Sequence, residues 1–587
     1  MEEYVANSID ITRGFEEHAL ASEISNKFTT GKAGKAEWER RVAEIIQYVY
    51  ATSTKETSNS GNGWSHTTHI PKLTQIHDNL AANYASALFG GKDWFDFEAA
   101  VEDEATVRKA KGIKAYLRTK HDWNSFVKVM QRLLQDWVQT GNCFAKVEYV
   151  RETMRDEDDT EVLIYEGPRI IRISPYDVVI DHTATDFEHS PLIHRELYTR
   201  ADFLRSVEEN LDLDYDVAVV EKVIAFRTHL GQYKDSDINK NIQQQFDGFT
   251  TSSSYFQSGQ IEVLEFIGDI YDEQNGKLLK NHLITVVDRR FVLRSKPLPT
   301  YDGRKQVYHA GWRHRPDNLW AMGPLDNLIG MQYLIDHLEN ARADAFDQML
   351  SPDRVHVGQV QIEHDGPVTN YYIDDAQGNV HNLAPDATVL NADFQIERKE
   401  AQMEAYAGAP KEAMGMRSPG EKTKFEVQQL ATAASRMFQT KIEDFERLVE
   451  DILNGELEIA YRNLNATDIA KTIDDDLGVV EFLEITKDDL KARGKLKARG
   501  ASHFAKKAQL AQDLQGFAQA MQLDPSMAVH FPGEMRAKMW NEALDFNDGV
   551  FVPFGQIAEG MKQQELIQAA QGQLDGNQAA TDVAEQV

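Results

Sequence analysis

The chain contains very little cysteine. Among its 587 residues there is one, Cys143, which excludes both an internal disulfide framework and a cysteine-based zinc site. Long apolar runs are missing too, because none approaches the ~20 residues that a membrane-spanning helix needs. The amino terminus lacks the basic-then-apolar pattern of a signal peptide. We therefore expect a soluble protein of a reducing compartment, with Cys143 as a small buried apolar residue.

Sequence motifs of catalysis are also missing. The segment TTGKAGKAEW contains Gly-Lys twice, but it has neither the G-x-x-x-x-G-K-[ST] spacing of a phosphate-binding loop nor a strand before it. His66 and His69 raise the alternative of a metal site, yet no cysteine or acidic residue accompanies them at ligand spacing. Acidic pairs such as Asp374-Asp375 are the expected background of an acidic chain. We predict that the protein is not an enzyme and uses no metal or cofactor.

The charge of the chain is strongly negative, −31 at neutral pH with an isoelectric point near 5.0. Like-charge repulsion disfavours wrapping of nucleic acid by the whole surface, so any DNA contact must be local. Residues 487–507 hold eight cations against Asp488 and Asp489. This run is either a solvated helix face or a site for an anion or a partner. Residues 408–420 also carry a positive excess, in either an ordinary interhelical loop or a functional one.

The first half of the chain alternates between helical and strand patterns. Apolar spacing predicts helices over residues 38–50, from Pro71 onward, and over 123–139, the last ending at Gly141. Short β-branched and aromatic segments over residues 143–198, with a charged hairpin tip, predict an antiparallel sheet. Helices at 201–210 and 217–228 precede a polar stretch, 235–260, which we predict to be a mobile insertion. A strand meander with an Asn275-Gly276 turn follows it.

The second half has an unusual order of elements. A helix over residues 323–350 leads into short strands, and a helix over 394–407 returns. The first of these helices has one apolar face, formed by Leu325, Leu328, Ile335, Leu338, Ala345 and Met349. A loop then precedes a long helix that reaches residue 463, whose start has a capping box of Ser418 and Glu421. Residues 487–521 read as mostly helical, with a further short helix at 537–544. A chain of this length divides into several domains, and we predict an α+β fold.

In this order of elements the chain resembles the portal proteins of tailed bacteriophages, those of podophages in particular. The similar segments are TGNCFAKVEYV, ISPYDVVIDHTATDFEHSPLIHRELYTRADF, MGPLDNLIGMQYLIDHLENARADAF and AGAPKEAMGMRSPGEKTKFEVQQL. Portal proteins form the ring through which DNA enters and leaves the capsid. The resemblance implies a multi-domain portal fold with long stem and wing helices, an antiparallel wing sheet and a small β clip module.

The resemblance also implies a division of the chain. The expected parts are a wing at 1–322, stem helices at 323–350 and 393–407, a clip at 351–392, a tunnel loop at 408–420, a long wing helix with its following segment at 421–486, a mainly helical crown at 487–560 and a disordered tail at 561–587.

Candidate contact residues follow from that division. For DNA in the tunnel they are Lys411, Met414, Met416, Arg417 and Lys422; for partners at the clip and stem they are Arg354, His356 and His364; and for an anion or partner at the crown they are Lys491, Arg493, Lys495, Lys497 and Arg499.

The implied partners are other copies of the chain in a dodecamer, double-stranded DNA, the terminase large subunit, head-tail adaptor or tail proteins, and the major capsid and scaffolding proteins. The expected location is a capsid vertex of the virion, after assembly in the host cytoplasm. Two alternatives remain open from the sequence: another ring-forming adaptor or internal virion protein, and a metal-dependent packaging nuclease.

Overall fold

The computed structural model describes residues 15–89, 94–99, 104–155, 161–181, 184–209, 215–229, 260–272, 276–300, 303–357, 370–373, 379–383, 391–407, 424–464, 467–473, 480–491 and 494–498. Nearly all of the polar insertion, the tunnel loop with its capping box, the helix at 537–544 and the tail lie outside these residues.

The described helices are numbered in chain order. They are α1 (Phe15–Gly34), α2 (Ala36–Tyr50), α3 (Lys72–Phe89), α4 (Glu104–Asn124), α5 (Phe126–Thr140), α6 (Arg200–Glu209), α7 (Val217–His229), α8 (Ile329–Leu350), α9 (Ala392–Ala407) and α10 (Lys424–Asn463). No helix among them combines the length and apolar content that a bilayer crossing requires.

The described strands are numbered in the same way. They are β1 (Phe95–Ala99), β2 (Asn142–Arg155), β3 (Glu161–Ile173), β4 (Val178–Ile180), β5 (Leu192–Tyr198), β6 (Ile261–Asp272), β7 (Lys277–Val287), β8 (Phe291–Pro297), β9 (Val307–Gly311), β10 (Arg313–Arg315), β11 (Asn318–Met322), β12 (Asp353–Val357), β13 (Asn370–Ile373), β14 (Asn379–Leu383), β15 (Asp468–Ile473), β16 (Val480–Ile485) and β17 (Gly494–Ala498).

The chain divides into two compact units. The first comprises Met1–Trp94, Lys120–Leu464 and Leu496–Ala498, and the second comprises Phe95–Thr119, Asn465–Lys495 and Arg499–Val587. Both contain helices and antiparallel strand pairs, so the predicted α+β class is confirmed.

Two antiparallel sheets form the centre of the first unit. One has the strand order β4-β5-β6-β7-β8 and the other the order β3-β2-β9, as the alternating pattern of these segments predicts. They share an apolar core that includes Phe144 of β2, Leu192 of β5 and Ile267 of β6. The predicted meander is confirmed as β6-β7-β8, and Gly276, the residue before β7, has a left-handed φ of 59° that favours glycine. Helix α10 packs on the sheet that contains β2.

Close packing inside the second unit depends on two glycines. A Cβ atom added at Gly112 of α4 would lie 3.3 Å from the Cδ1 atom of Ile485 in β16. One added at Gly494 would lie only 2.4 Å from the carbonyl oxygen of Glu98. The hairpin of β15 and β16 was not predicted, and Gly494–Ala498 is a strand where the sequence indicated helix. Alternating exposure along this strand, with Leu496 fully buried, has a period of two, which a helix cannot give.

Several predicted boundaries were wrong. The helix predicted from Trp123 is two helices, because Ser125 adopts a left-handed φ of 51° that ends α4 and begins α5. The strands β2 and β3 extend to Arg155 and from Glu161, into the region predicted as a hairpin tip. Helix α8 begins at Ile329 and not at Gly323, because the carboxylate of Asp326 accepts a hydrogen bond from the Gly323 N–H and holds a turn there.

The predicted small β module between α8 and α9 is confirmed. It is a three-stranded sheet in which β12 pairs in parallel with β13 and antiparallel with β14.

Candidate functional site

A row of polar side chains on α8 holds an extended segment against the helix. We call this segment, residues 62–73, the strap; its last two residues, Lys72 and Leu73, are the first residues of α3. The row recurs at four-residue steps and therefore lies on one face of the helix. Its members are Gln332, Asp336, Asn340 and Asp344. The first three are fully buried. Of the apolar residues that were predicted to share one face, Leu325, Leu328, Ile335 and Ala345 are buried, whereas Leu338 and Met349 are half-buried.

The far end of the strap is held through its backbone. Asn340 accepts a hydrogen bond from the Thr68 N–H at 2.8 Å and donates one to the Thr68 carbonyl at 2.7 Å. Asp344 accepts from the backbone N–H groups of Ser65 and His66 at 3.0 and 3.1 Å. These side chains therefore provide hydrogen-bond partners for the backbone of the strap, as a neighbouring strand does for an edge strand.

The near end of the strap is held in the same way. Asp336 accepts from the Ile70 N–H at 3.0 Å, and Gln332 accepts from the Leu73 N–H at 3.0 Å while it donates to the Ile70 carbonyl. The side chain of His69 is almost completely buried, with Nδ1 2.8 Å from Asp336 and Nε2 3.2 Å from the Tyr48 carbonyl. Removal of Asp336 would leave buried groups of the strap without partners.

The two histidines of the strap have carboxylate partners from α8 and not from their own segment. His69 pairs with Asp336, and His66 Nε2 lies 2.8 Å from Asp347. Among the described residues no group of three or more His, Cys, Asp or Glu side chains could hold a metal ion. The geometry therefore assigns these histidines to the attachment of the strap.

The second helix of the pair, α9, packs on α8. Arg342 of α8 forms an ion pair with Asp393, and Lys72 of α3 places its Nζ atom 2.5 Å from Glu404 in a buried contact. Met403 of α9 is fully buried beside this ion pair. The inner side of the helix pair is thus covered by the chain itself.

The α8–α9 pair also exposes large apolar side chains in the isolated chain. Their exposed fractions are 50% for Phe346, 68% for Leu350, 69% for Phe394 and 64% for Tyr406. Side chains of this size are normally buried, and several on one helix pair mark an interaction surface.

The candidate residues of the clip occupy different environments. Arg354 on β12 is exposed, whereas His356, two residues further, is 3% exposed and therefore buried within the chain. His364 lies outside the described residues, as do the tunnel candidates Lys411, Met414, Met416, Arg417 and Lys422.

Three of the five crown candidates lie in the described part of the chain. Lys491 is exposed beside a turn, and Lys495 and Lys497 are exposed on alternate positions of β17. Arg493 and Arg499 lie outside the described residues. The crown candidates therefore include cations that solvent can reach.

The two lysines of TTGKAGKAEW have structural roles. Lys35 is buried and donates to the carbonyls of Pro175, Tyr176 and Val178 at 2.9, 2.8 and 2.6 Å. Lys32 also donates to the Tyr176 carbonyl, at 2.8 Å. Burial lowers the pKa of Lys35 to about 7. Both amines are thus occupied by carbonyl oxygens and do not form a phosphate cradle.

A buried ionic cluster joins the two sheets of the first unit. Lys146 Nζ lies 2.7 Å from both Glu148 and Glu265, and His194 Nε2 lies 3.1 Å from Glu265. The members of the cluster are Lys146 and Glu148 of β2, His194 and Glu196 of β5, Glu265 of β6 and Arg294 of β8. Three carboxylates are matched by three cations when the imidazole of His194 is protonated.

The protonated state of His194 should make the stability of the protein depend on pH. Burial alone would lower the pKa of His194, but its hydrogen bonds with Glu196 and Glu265 raise it to about 9. A group whose pKa is raised by folding stabilises the protein fully below the unfolded pKa, about 6.5, and that stabilisation is lost as pH rises through about 9. We expect His194→Gln to remove a stabilisation of about 3 kcal/mol at pH 6 and much less at pH 10.

The measurement is urea unfolding of the wild type and of His194→Gln at pH 6 and pH 10. Burial lowers the pKa values of Lys35 and Lys305 to about 7 and about 8. These two lysines therefore make the free energy of unfolding rise with pH, but they do so equally in the wild type and in the variant. His189→Gln, at an exposed position, is the control and should match the wild type. An equal difference between wild type and His194→Gln at both pH values would contradict the prediction.

Comparisons with known protein families and with curated proteins find no match for this chain. A functional assignment therefore rests on the sequence resemblance and on the geometry of the helix pair.

Proposed function

We propose that the chain is a portal protein, which assembles into a closed ring, a dodecamer as in the family it resembles, at one vertex of a bacteriophage capsid. The ring is the conduit for DNA packaging and ejection. It receives the terminase large subunit during packaging and head-tail adaptor or tail proteins afterwards, and it is built into the capsid with the major capsid and scaffolding proteins.

The observation that carries the proposal is the two-sided character of the α8–α9 pair. One side is fixed to its own chain by the strap and by the Lys72–Glu404 ion pair. Away from these contacts the pair exposes Phe346, Leu350, Phe394 and Tyr406. In a ring, each copy covers the exposed side of the next, and a head-to-tail contact that closes leaves no such surface open.

Burial of these side chains contributes to the free energy of assembly. Full burial of a large apolar side chain contributes about 1.5–3 kcal/mol, and because the four are half to two-thirds exposed, together they supply on the order of 4–8 kcal/mol at each interface before association costs. The rigid attachment of the inner side keeps these side chains in place, which lowers the ordering cost of association.

The charge of the chain suits a conduit. A wall that bound DNA tightly would slow translocation about tenfold for every 1.4 kcal/mol of added barrier. A net charge of −31 per chain repels the polyanion over most of the surface, so a few local cations can position DNA without trapping it. In this proposal those cations include Lys411 and Arg417 of the tunnel loop.

The proposal is tested by the mass of the purified full-length protein at micromolar concentration. We expect particles about twelve times the 66.6 kDa of one chain, and single chains when Phe346, Leu350, Phe394 and Tyr406 are all replaced by serine. The matched control replaces Tyr271 and Leu278, exposed by 54% and 49% on the β6–β7 hairpin, and should keep the ring. A monodisperse wild-type monomer would refute the proposal. A ring that survives the fourfold substitution would refute the role of these four side chains in the contact between copies.

A further inference from the structure

Helix α4 concentrates positive charge in an otherwise acidic chain. Between Glu104 and Thr119 the helix contains five cations and one carboxylate, although the whole chain has a net charge of −31. This helix was not predicted from the sequence, and its cations are outside the predicted sites. A local reversal of charge on this scale marks a candidate site for an anionic partner.

Four of these cations form a stripe. Arg108, Lys111, Lys114 and Arg118 are spaced by three, three and four residues and therefore lie on one face of the helix. The opposite face is apolar and packed, and it includes the fully buried Ile113, Tyr116 and Leu117. At 1.5 Å per residue the stripe is about 15 Å long.

A turn from the distant 486–491 segment extends this positive surface. Lys109 Nζ donates to the Asp488 carbonyl at 2.8 Å, which brings the exposed Lys487 and Lys491 next to the beginning of the stripe. Asp489 is engaged by Thr486, whose N–H and hydroxyl donate to it at 2.9 and 2.6 Å.

The charge balance of this surface stays positive after its own carboxylates are counted. The hydrogen bonds from Thr486, together with the charges of Lys109 and Arg108, lower the pKa of Asp489, which is therefore ionised. Lys114 lies 3.6 Å from Asp96. Residues 104–119 and 486–491 together hold seven cations and the three carboxylates of Glu104, Asp488 and Asp489, to which Asp96 beside Lys114 adds a fourth.

We propose that the stripe, Arg108, Lys111, Lys114 and Arg118, together with Lys487 and Lys491, binds the phosphate backbone of double-stranded DNA without sequence preference. This inference deepens the proposed function, on which it rests for the identity of the anion. DNA carries one negative charge per ~1.7 Å of axis, so about nine phosphates lie within the length of the stripe. Long cations in a row contact successive phosphates and position the duplex without reading bases.

The linear arrangement favours DNA over an acidic protein segment. Four cations in one row along a straight helix match a rod of regularly repeated charge, whereas an acidic segment of a protein has no fixed charge spacing. Binding through such contacts depends steeply on salt, because each phosphate contact releases a counterion.

The experiment measures the affinity of the full-length protein for fluorescent 30-base-pair duplexes of two unrelated sequences as salt is varied. Replacement of Arg108, Lys111, Lys114 and Arg118 by glutamine should weaken binding about tenfold or more at low salt and reduce the salt dependence by roughly 0.9 per lost contact. Arg108→Gln alone, at an exposed position, should give a smaller loss in the same direction. Both duplexes should bind equally well.

The matched control replaces four exposed cations on other helices, Lys27, Arg40, Arg205 and Arg447, and therefore changes the net charge equally. It should keep the wild-type affinity, and the charge-conserving Arg108→Lys with Arg118→Lys should keep it too. Equal loss in the control, or no loss in the stripe variant, would overturn the inference. Tighter binding of a poly-glutamate peptide than of DNA would overturn it in favour of an acidic protein partner.

The mass of the protein in each sample distinguishes a failure of the ring proposal from a failure of the DNA-binding inference. A ring whose DNA affinity is unaffected by the stripe variant refutes the inference alone. A single chain that binds DNA through the stripe refutes the ring proposal and leaves the DNA-binding surface in place.

Discussion

Replacement of Glu265 by glutamine is expected to lower the free energy of unfolding by about 3–5 kcal/mol, the usual cost of breaking a buried ion pair by removal of one partner. The Glu265 carboxylate accepts from Lys146 at 2.7 Å and from His194 at 3.1 Å, and it also contacts Arg294. Burial alone would raise the pKa of Glu265, but the charges of Lys146 and Arg294 lower it well below its usual value. Glutamine leaves these buried cations with one carboxylate fewer.

The expected loss is measured as a shift of the urea midpoint at neutral pH and fixed protein concentration, since assembly adds to apparent stability. Glu37→Gln removes the same charge from an exposed pair with Arg40 and should leave the midpoint almost unchanged. If both substitutions shift the midpoint equally, the cluster does not stabilise the junction of the sheets.

Replacement of Asp336 by alanine should detach the strap from α8. Asp336 is fully buried and holds both the His69 ring and the Ile70 N–H. Its loss leaves three donors, the His69 ring, the Ile70 N–H and the Gln332 amide, without this acceptor, at a cost of about 3–5 kcal/mol. We expect amide hydrogen exchange in residues 62–73 to become about 100-fold faster or more, while exchange in the β6–β8 meander stays unchanged.

The control for this substitution is Asp347→Ala, which removes the exposed partner of His66. An exposed pair contributes about 0–1 kcal/mol, so exchange in the strap should change little. Equal acceleration by the two substitutions would show that the buried carboxylate is not what holds the strap.

Features with local signals could be predicted from the sequence. Helix α2 was expected to end at Tyr50 and does so, because its apolar residues recur at helical spacing up to that residue. Gly141 was expected to end a helix, and its φ of 75° is the left-handed value that such an end requires. The small β module between α8 and α9 was expected from short segments of alternating residues. In each case the relevant residues lie within a few positions of one another.

The strap could not be predicted, because its partners lie about 270 residues away. Asp336 and Asn340 look like the solvent side of an amphipathic helix when only spacing is considered. They are buried because the backbone of a distant segment needs hydrogen-bond partners. His66 and His69 were considered as metal ligands for the same reason, since the carboxylates beside them are not neighbours in sequence.

Helix α4 was missed for a different reason. Cations interrupt its apolar positions, so that Ile113, Tyr116 and Leu117 alone give too short a stripe to indicate a helix of 21 residues. The positive charge of the 487–491 segment was visible in the sequence, but its proximity to α4 depends on the contact between Lys109 and Asp488.

The position of the strap in the chain also causes a delay between its synthesis and the synthesis of α8, its partner. Thr68 leaves the ribosome 272 residues before Asn340, its partner on α8. At 5–20 residues per second this interval is roughly 14–54 s, in which the backbone of the strap has only water to bond with. When α8 leaves the ribosome, by contrast, the strap that its polar face binds has already been synthesised. The α8–α9 pair therefore reaches its final structure only after the strap has bound to it. Its exposed apolar side chains become available to another copy of the chain late, after most of the chain has been made.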